Sequence, residues 1–192
     1  MEPPGRVLIV CTGNVCRSPF IERILQARLA GPAEGPAPVV TSAGTGALVG
    51  RHMDRRAAAR LVAAGGNPDG FVARQLTAEL VAAPDLVLTA TRRHRGEVAT
   101  WHPRALRYTF TFRDFADLAA GLDPRGLDDI PDGAGRLPAV VQRIAARRGV
   151  NPPLTVDEAD IVDPFRREDE VFAQMSHQVL SALPAVVKAL RC

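Results

Sequence analysis

An unbroken apolar run, Val7-Leu8-Ile9-Val10, opens directly into the polar stretch Cys11-Thr12-Gly13-Asn14-Val15-Cys16-Arg17-Ser18-Pro19. Continuous hydrophobicity over so short a span is the pattern of a strand buried on both faces. Ser18-Pro19 reads as a helix start, with proline at the first helical position. Beyond it Phe20, Ile21, Ile24, Leu25 and Leu29 recur on one helical face. A doubly buried strand that passes through a polar loop into a helix requires a sheet covered on both sides.

The rest of the chain repeats that alternation. The Gly- and Pro-rich stretch 31–38 predicts a turn, and Val39–Ser42 a second strand. Asp54–Ala64 predicts a helix with Ala58, Leu61 and Val62 facing inward. Asp85–Thr89 reads as a third buried strand, and Thr91 as the cap of a short helix through Val98. Leu106–Phe112 alternates strictly and predicts a fourth strand. Residues 121–135 read as an exposed loop and Leu137–Arg147 as a short helix. A last helix from Glu168 to Arg191 places Val171, Met175, Val179, Leu183, Val186 and Leu190 on one stripe, with Pro184 expected to kink or break it. Strands alternating with helices predict an α/β domain with a parallel sheet and right-handed crossovers. In such sheets ligands bind beyond the carboxyl ends of the strands, where the strand order reverses. The loop 11–18 lies where that rule puts a site.

That loop carries chemistry. A loop leading into a helix N-terminus presents unpaired N–H groups and the positive end of the helix dipole, which makes an anion site. Gly13 offers a free choice of φ, which helps the amides point inward as a nest. Arg17 adds a planar fork for two phosphate oxygens. Cys11, at the strand end, faces the same cradle, and the surrounding positive charge favours its thiolate. A thiolate beneath bound phosphate is a nucleophile aimed at phosphorus.

Composition narrows the setting. The 192 residues suffice for one buried core, and a single domain over 1–192 is expected. The net charge of +3 is a small excess of 24 cations over 21 anions, and Lys188 is the one lysine. The arginines between Arg92 and Arg107 are interrupted by Glu97 and read as a solvated helix face rather than a nucleic-acid surface. Three cysteines, two in one loop, form no disulfide framework and predict a reducing, cytoplasmic setting. The apolar run near the N-terminus is too short for a signal peptide, and no stretch predicts a membrane span.

Val7–Pro19 resembles the signature of the low-molecular-weight protein tyrosine phosphatases. The likeness extends through Thr41-Ser42-Ala43-Gly44-Thr45 and Val72-Ala73-Arg74-Gln75-Leu76-Thr77, and returns at Asp163-Pro164-Phe165. It leaves out about residues 113–159, which read as an insertion. The resemblance implies a three-layer sandwich, a four-stranded parallel sheet flanked by helices, with the phosphate-binding loop after the first strand. It implies hydrolysis of phosphate monoesters, most of all protein phosphotyrosine, through a cysteinyl-phosphate intermediate, and a cognate tyrosine kinase as partner. Cys11, Arg17 and Asp163 take the catalytic roles, Asp163 serving first as acid and then as base. Thr12, Gly13, Asn14, Val15, Cys16 and Ser18 form the phosphate loop, Ser42 supports it, and Phe165 walls the substrate. Cys16 is implied to form a reversible disulfide with oxidised Cys11, while packing alone would also account for a small apolar residue there. Ser18 could equally be a helix cap. No metal or cofactor is called for.

The chain departs from that pattern in two places. Phe71 stands where many relatives carry a His, so part of the supporting polar network is expected to be missing. Phe165 stands in place of Tyr. Rival readings follow from the same cradle. A thiol-relay arsenate reductase needs two later cysteines, and none lies between Cys16 and Cys192, which leaves reduction with an external thiol. Phosphoarginine phosphatases carry Thr where this chain has Val15. A non-catalytic phosphate-binding module would use the same cradle without turnover. Leu48, His52, Met53 and Trp101 are candidate rim residues, and Asp123-Pro124 is a competing Asp-Pro pair.

Overall fold

The computed structural model describes residues 4–31, 36–122, 130, 135–150 and 152–191. Four parallel strands, β1 (Arg6–Cys11), β2 (Val39–Gly44), β3 (Leu86–Thr89) and β4 (Thr109–Thr111), form one sheet in the order β2-β1-β3-β4. In β1, Val7 and Ile9 enter one apolar core while Leu8 and Val10 enter the other. This two-residue alternation of faces is why an uninterrupted apolar run is needed there. The chain leaves β1 toward β2 on one side and returns to β3 on the other. The reversal therefore falls at the carboxyl end of β1, as the sheet rule requires.

The larger core is closed by α1 (Arg17–Leu29), α2 (Arg55–Ala63), α5 (Phe112–Ala120), α6 (Arg136–Ala145) and α8 (Asp169–Arg191). The smaller is closed by α3 (Ala78–Ala82), α4 (Arg92–Trp101) and a 3₁₀ turn at Pro103–Arg107. A short α7 (Val156–Ala159) carries a capping box between Thr155 and Glu158 and precedes Asp163. This is the expected three-layer α/β arrangement. No helix among the described residues is long and apolar enough to cross a membrane.

Several sequence expectations need correction. The fourth strand is only Thr109–Thr111. Leu106 is exposed in the 3₁₀ turn, and Phe112 already begins α5, because the Thr111 side chain accepts the Asp114 N–H as a helix cap. In α2 the inward residues are Ala57 and Leu61, with Ala58 half-buried. Val62 is 58% exposed. On α8, Phe172 is buried and Val171 only half so. Pro184 does not break α8. It sits on the exposed face, and buried Leu183 and Val186 hold the flanking turns to the core. α1 begins at Arg17, which puts Pro19 at its third position. Most of the predicted loop 121–135, Asp123-Pro124 and Cys192 lie outside the described residues.

The α2 correction is checkable. Leu61→Ala is expected to cost about 2–5 kcal/mol in urea unfolding. Val62→Ala, one residue on, should change stability by less than about 0.5 kcal/mol. Equal losses at the two positions would contradict the orientation of α2.

Candidate active site

The loop between β1 and α1 is shaped by what its carbonyls bind. Those of Cys11, Thr12 and Gly13 accept the N–H groups of Thr45, Gly46 and Leu48 at 2.9–3.0 Å, and Val15 O accepts Asp54 N–H at 2.8 Å. In a planar trans peptide the N–H points opposite its carbonyl. Drawing these carbonyls outward therefore turns the partner amides toward the middle of the loop, as an anion nest requires. Gly44 makes the pairing possible. A Cβ there would lie 2.3 Å from Thr12 O, so a side chain would push the two loops apart. The N-terminus of α1 has no side-chain cap, which leaves its first N–H groups open to an anion. Ser18 is therefore not the helix cap. The left-handed residue of the loop is Asn14, at φ 53, whereas Gly13 does not adopt a positive φ. Asparagine tolerates that region better than other residues with a side chain.

Beneath the loop runs a chain of buried hydrogen bonds. Asn14 Nδ2 donates to Ser18 Oγ and to Ser42 Oγ, both at 2.8 Å, and Asn14 Oδ1 accepts Arg74 N–H at 2.9 Å. Ser42 in turn donates to Glu22 Oε2 at 2.5 Å. Cys11 Sγ lies 3.0 Å from Ser18 Oγ. Toward a thiolate only the hydroxyl can donate, so Ser18 is positioned to stabilise the sulfur anion. Glu22, whose burial raises its carboxyl pKa above the ordinary range, anchors the far end. The gap expected at Phe71 is filled in another way. Phe71 is buried under the Arg23 guanidinium, and the backbone of Arg74 supplies the bond to Asn14.

His94 is a second support that the sequence reading missed. It is buried on α4. Its Nε2 lies 2.8 Å from Thr12 Oγ1 and its Nδ1 lies 2.7 Å from Thr91 Oγ1. Burial, and then the nearby Arg17 guanidinium, push its pKa down to about 4, so the imidazole is neutral near pH 7. A neutral ring carries one N–H and one lone pair, and two hydroxyls can satisfy both in either tautomer. The ring ties the first residue of the loop to the neighbouring layer.

Above the loop is a pocket of about 130 Å³ lined by Cys11, Thr12, Gly13, Val15, Cys16, Arg17, Asp163 and Phe165, together with Gly46 and Leu48. The structure thus brings the three catalytic candidates to one pocket. Asn14, Ser18 and Ser42 lie beneath it as supports. Leu48 is a rim residue as expected, whereas His52 bonds to Phe71 O, Met53 is buried, and Trp101 is exposed at the end of α4 and does not line the pocket. Arg17 is buried, and its guanidinium pairs with Asp163 Oδ2 at 2.8 Å and donates to Ile161 O at 3.3 Å. Asp163 is half-exposed, and its Oδ1 accepts Phe165 N–H at 3.2 Å. Burial, followed by the Asp54 charge, pushes the Cys16 thiol well above the ordinary range, so it packs as a neutral side chain.

Two predictions come from these supports. Asn14→Ala leaves Ser18, Ser42 and the Arg74 N–H without their shared partner. A fall in kcat of roughly a hundredfold or more is expected, with smaller change in KM; an unchanged kcat would contradict the network's role. For His94 the folded pKa is depressed, so its contribution to stability is complete above about pH 6.5 and is lost as pH falls toward 4. Unfolding measured at pH 7 and near pH 4.5 should show an acid loss that shrinks in His94→Asn by up to about 3 kcal/mol. An identical pH slope in both proteins would contradict a neutral buried ring.

Comparison with known proteins places this geometry. The sequence model described as "Low molecular weight phosphotyrosine protein phosphatase" matches residues 6–147. A putative low molecular weight protein-tyrosine-phosphatase of Klebsiella pneumoniae is 37% identical over 169 residues, covering 88% of this chain and 85% of that protein. The low molecular weight protein-tyrosine-phosphatase Wzb of Salmonella typhi is 43% identical over 90 residues, covering 47% of this chain. The chain spans 56% of that relative's length. The crystal structure of the Erwinia amylovora tyrosine phosphatase amsI superimposes with a TM-score of 0.68 at 24% identity, covering 98% of this chain and 93% of that one. With a cysteine and an arginine at the two ends of one anion-binding loop, and the family's sequence pattern over most of its length, this chain belongs to the low molecular weight phosphotyrosine protein phosphatase family.

Proposed function

We propose that the protein hydrolyses phosphate monoesters, with protein phosphotyrosine as substrate, through a phosphorylated Cys11. The observation that carries this reading is the position of Cys11 Sγ at the floor of the nest, beside the Ser18 hydroxyl and facing the same pocket as Arg17 and Asp163. The thiolate attacks phosphorus as the ester P–O bond breaks, and the Asp163 carboxyl gives its proton to the leaving phenolic oxygen. Water then attacks the S–P bond while the Asp163 carboxylate takes its proton, releasing phosphate and restoring the thiolate. Loop amides and the Arg17 fork stabilise the charge on the equatorial oxygens. Arg17 and Asp163 are paired to one another in this structure. A bound phosphate dianion would compete with Asp163 for Arg17 and release the carboxyl toward the leaving oxygen.

Leu48 and Phe165 supply apolar walls to a narrow pocket, which suits a flat aromatic ring. Val15 lines the same pocket without a hydroxyl, so it offers no hydrogen bond to a phosphorylated guanidinium, and phosphotyrosine is preferred over phosphoarginine. On this reading the substrate is a phosphorylated protein produced by a cognate tyrosine kinase. The setting is a reducing cytoplasm, where Cys11 and Cys16 remain thiols available for a protective disulfide. One domain spans 1–192, with the stretch 113–159 as an addition to it.

Phosphate release from matched phosphotyrosine and phosphoarginine peptides tests the assignment. Wild type should turn over the phosphotyrosine peptide. Cys11→Ser should lose about four orders of magnitude in kcat, and Asp163→Asn roughly a hundredfold or more. A wild-type preference for the phosphoarginine peptide would overturn the substrate class. Retained turnover in Cys11→Ser would overturn the mechanism.

A further inference from the structure

A second cavity, of about 420 Å³, is lined by residues of α4, β4 and α5 with Arg148, Gly149, Pro152, Pro153 and Leu154, and among the described residues it shares none with the active-site pocket. Its volume falls among those of small-ligand sites. Three guanidinium groups face it, from Arg92, Arg95 and Arg148, against the carboxylates of Asp114 and Asp117. Much of the remaining wall is apolar, formed by Phe110, Leu118 and Leu154.

The three cations are held in different ways. Arg148 donates to Leu106 O and Thr109 O at 3.0 and 2.8 Å, and its guanidinium lies 3.9 Å from the centre of the Phe110 ring. Those contacts fix its position without neutralising its charge. Burial, and then the Arg95 charge, push its pKa down to about 10. Arg92 donates to Leu154 O and stands 4.0 Å from Asp114, the one ion pair in the cavity among the described residues. The Nε of Arg95 is buried without a hydrogen-bond partner among the described residues. Three guanidinium groups against two carboxylates leave the lining with a net positive charge, which an anion would balance. The rigid Arg148 and the flat Phe110 face are already in place, so little order is lost on binding.

We propose that this cavity binds a small organic anion, with its carboxylate or phosphoryl group between Arg95 and Arg148 and its apolar body against Phe110, Leu118 and Leu154. A cation would meet a lining of net positive charge, three guanidinium groups against two carboxylates. An inorganic oxyanion would leave the apolar half of the cavity unused.

Titration calorimetry with 2-naphthoate as probe tests this, using the intact protein with vanadate saturating the active site. Saturable binding is expected in the presence of vanadate, weakened about tenfold or more by Arg95→Gln and lost in Leu118→Trp, which fills the cavity. Arg148→Gln also unties β4, so the weight rests on Arg95→Gln, which removes no hydrogen bond seen here. Turnover of p-nitrophenyl phosphate and the unfolding temperature show that each variant is folded. Absence of saturable binding, displacement by vanadate, or equal affinity in wild type, Arg95→Gln and Leu118→Trp would overturn the site. Inorganic sulfate binding there as tightly as 2-naphthoate would overturn its organic character.

Discussion

The active site depends on Asn14. Its backbone takes the left-handed turn that bends the loop, and its fully buried amide holds Ser18, Ser42 and the Arg74 backbone at once. Buried polar groups are stabilising only when their bonding capacity is met. Here one side chain meets the needs of three elements: α1, β2 and the loop after α2. The curvature that aims the amides at a common centre and the hydroxyl that faces Cys11 Sγ are thus set by the same residue. Serine or aspartate could not reproduce this pattern, since neither offers two N–H donors together with a carbonyl acceptor.

The sheet order makes the network possible. Because β1 lies between β2 and β3, its carboxyl end is flanked by two loops. From one side the residues after β2 bind the carbonyls of Cys11, Thr12 and Gly13, an approach that only glycine at position 44 allows. From the other, His94, itself held by Thr91, bonds to the Thr12 side chain. Asp163 arrives separately. Ile161 N–H bonds to Ala90 O beyond β3, and Arg92 N–H bonds to Asp160, so Asp163 is carried to Arg17 by a short, well-tied segment.

Much of this was legible in the sequence wherever the cause is local. Val7–Val10 had to be a central strand, and the loop 11–18 had to follow it, because an uninterrupted apolar run and a helix start leave little else between them. The supports were not legible where they depend on distant contacts. His94 is 82 residues from Thr12, and on α4 it stands among arginines that read as a solvated face. Glu22 carries no local signal either, since its partner Ser42 comes from β2. The ends of β4 were misread because Leu106–Phe112 alternates like a strand, although Pro103 starts a turn and Thr111 caps a helix. That cap, a threonine three residues before Asp114, was available as a signal. Inward Val62 was misread because Arg56 and Arg60 reach the start of α8 and fix the rotation of α2.

The covalent step is the central claim, and direct trapping tests it. Wild type mixed with excess phosphotyrosine peptide and quenched in acid during turnover would be digested and mapped by mass spectrometry. A phosphoryl group on the sulfur of Cys11 is the predicted result. Sustained phosphate release with Cys11 unmodified at every time, or with the phosphoryl group on another residue, would contradict it.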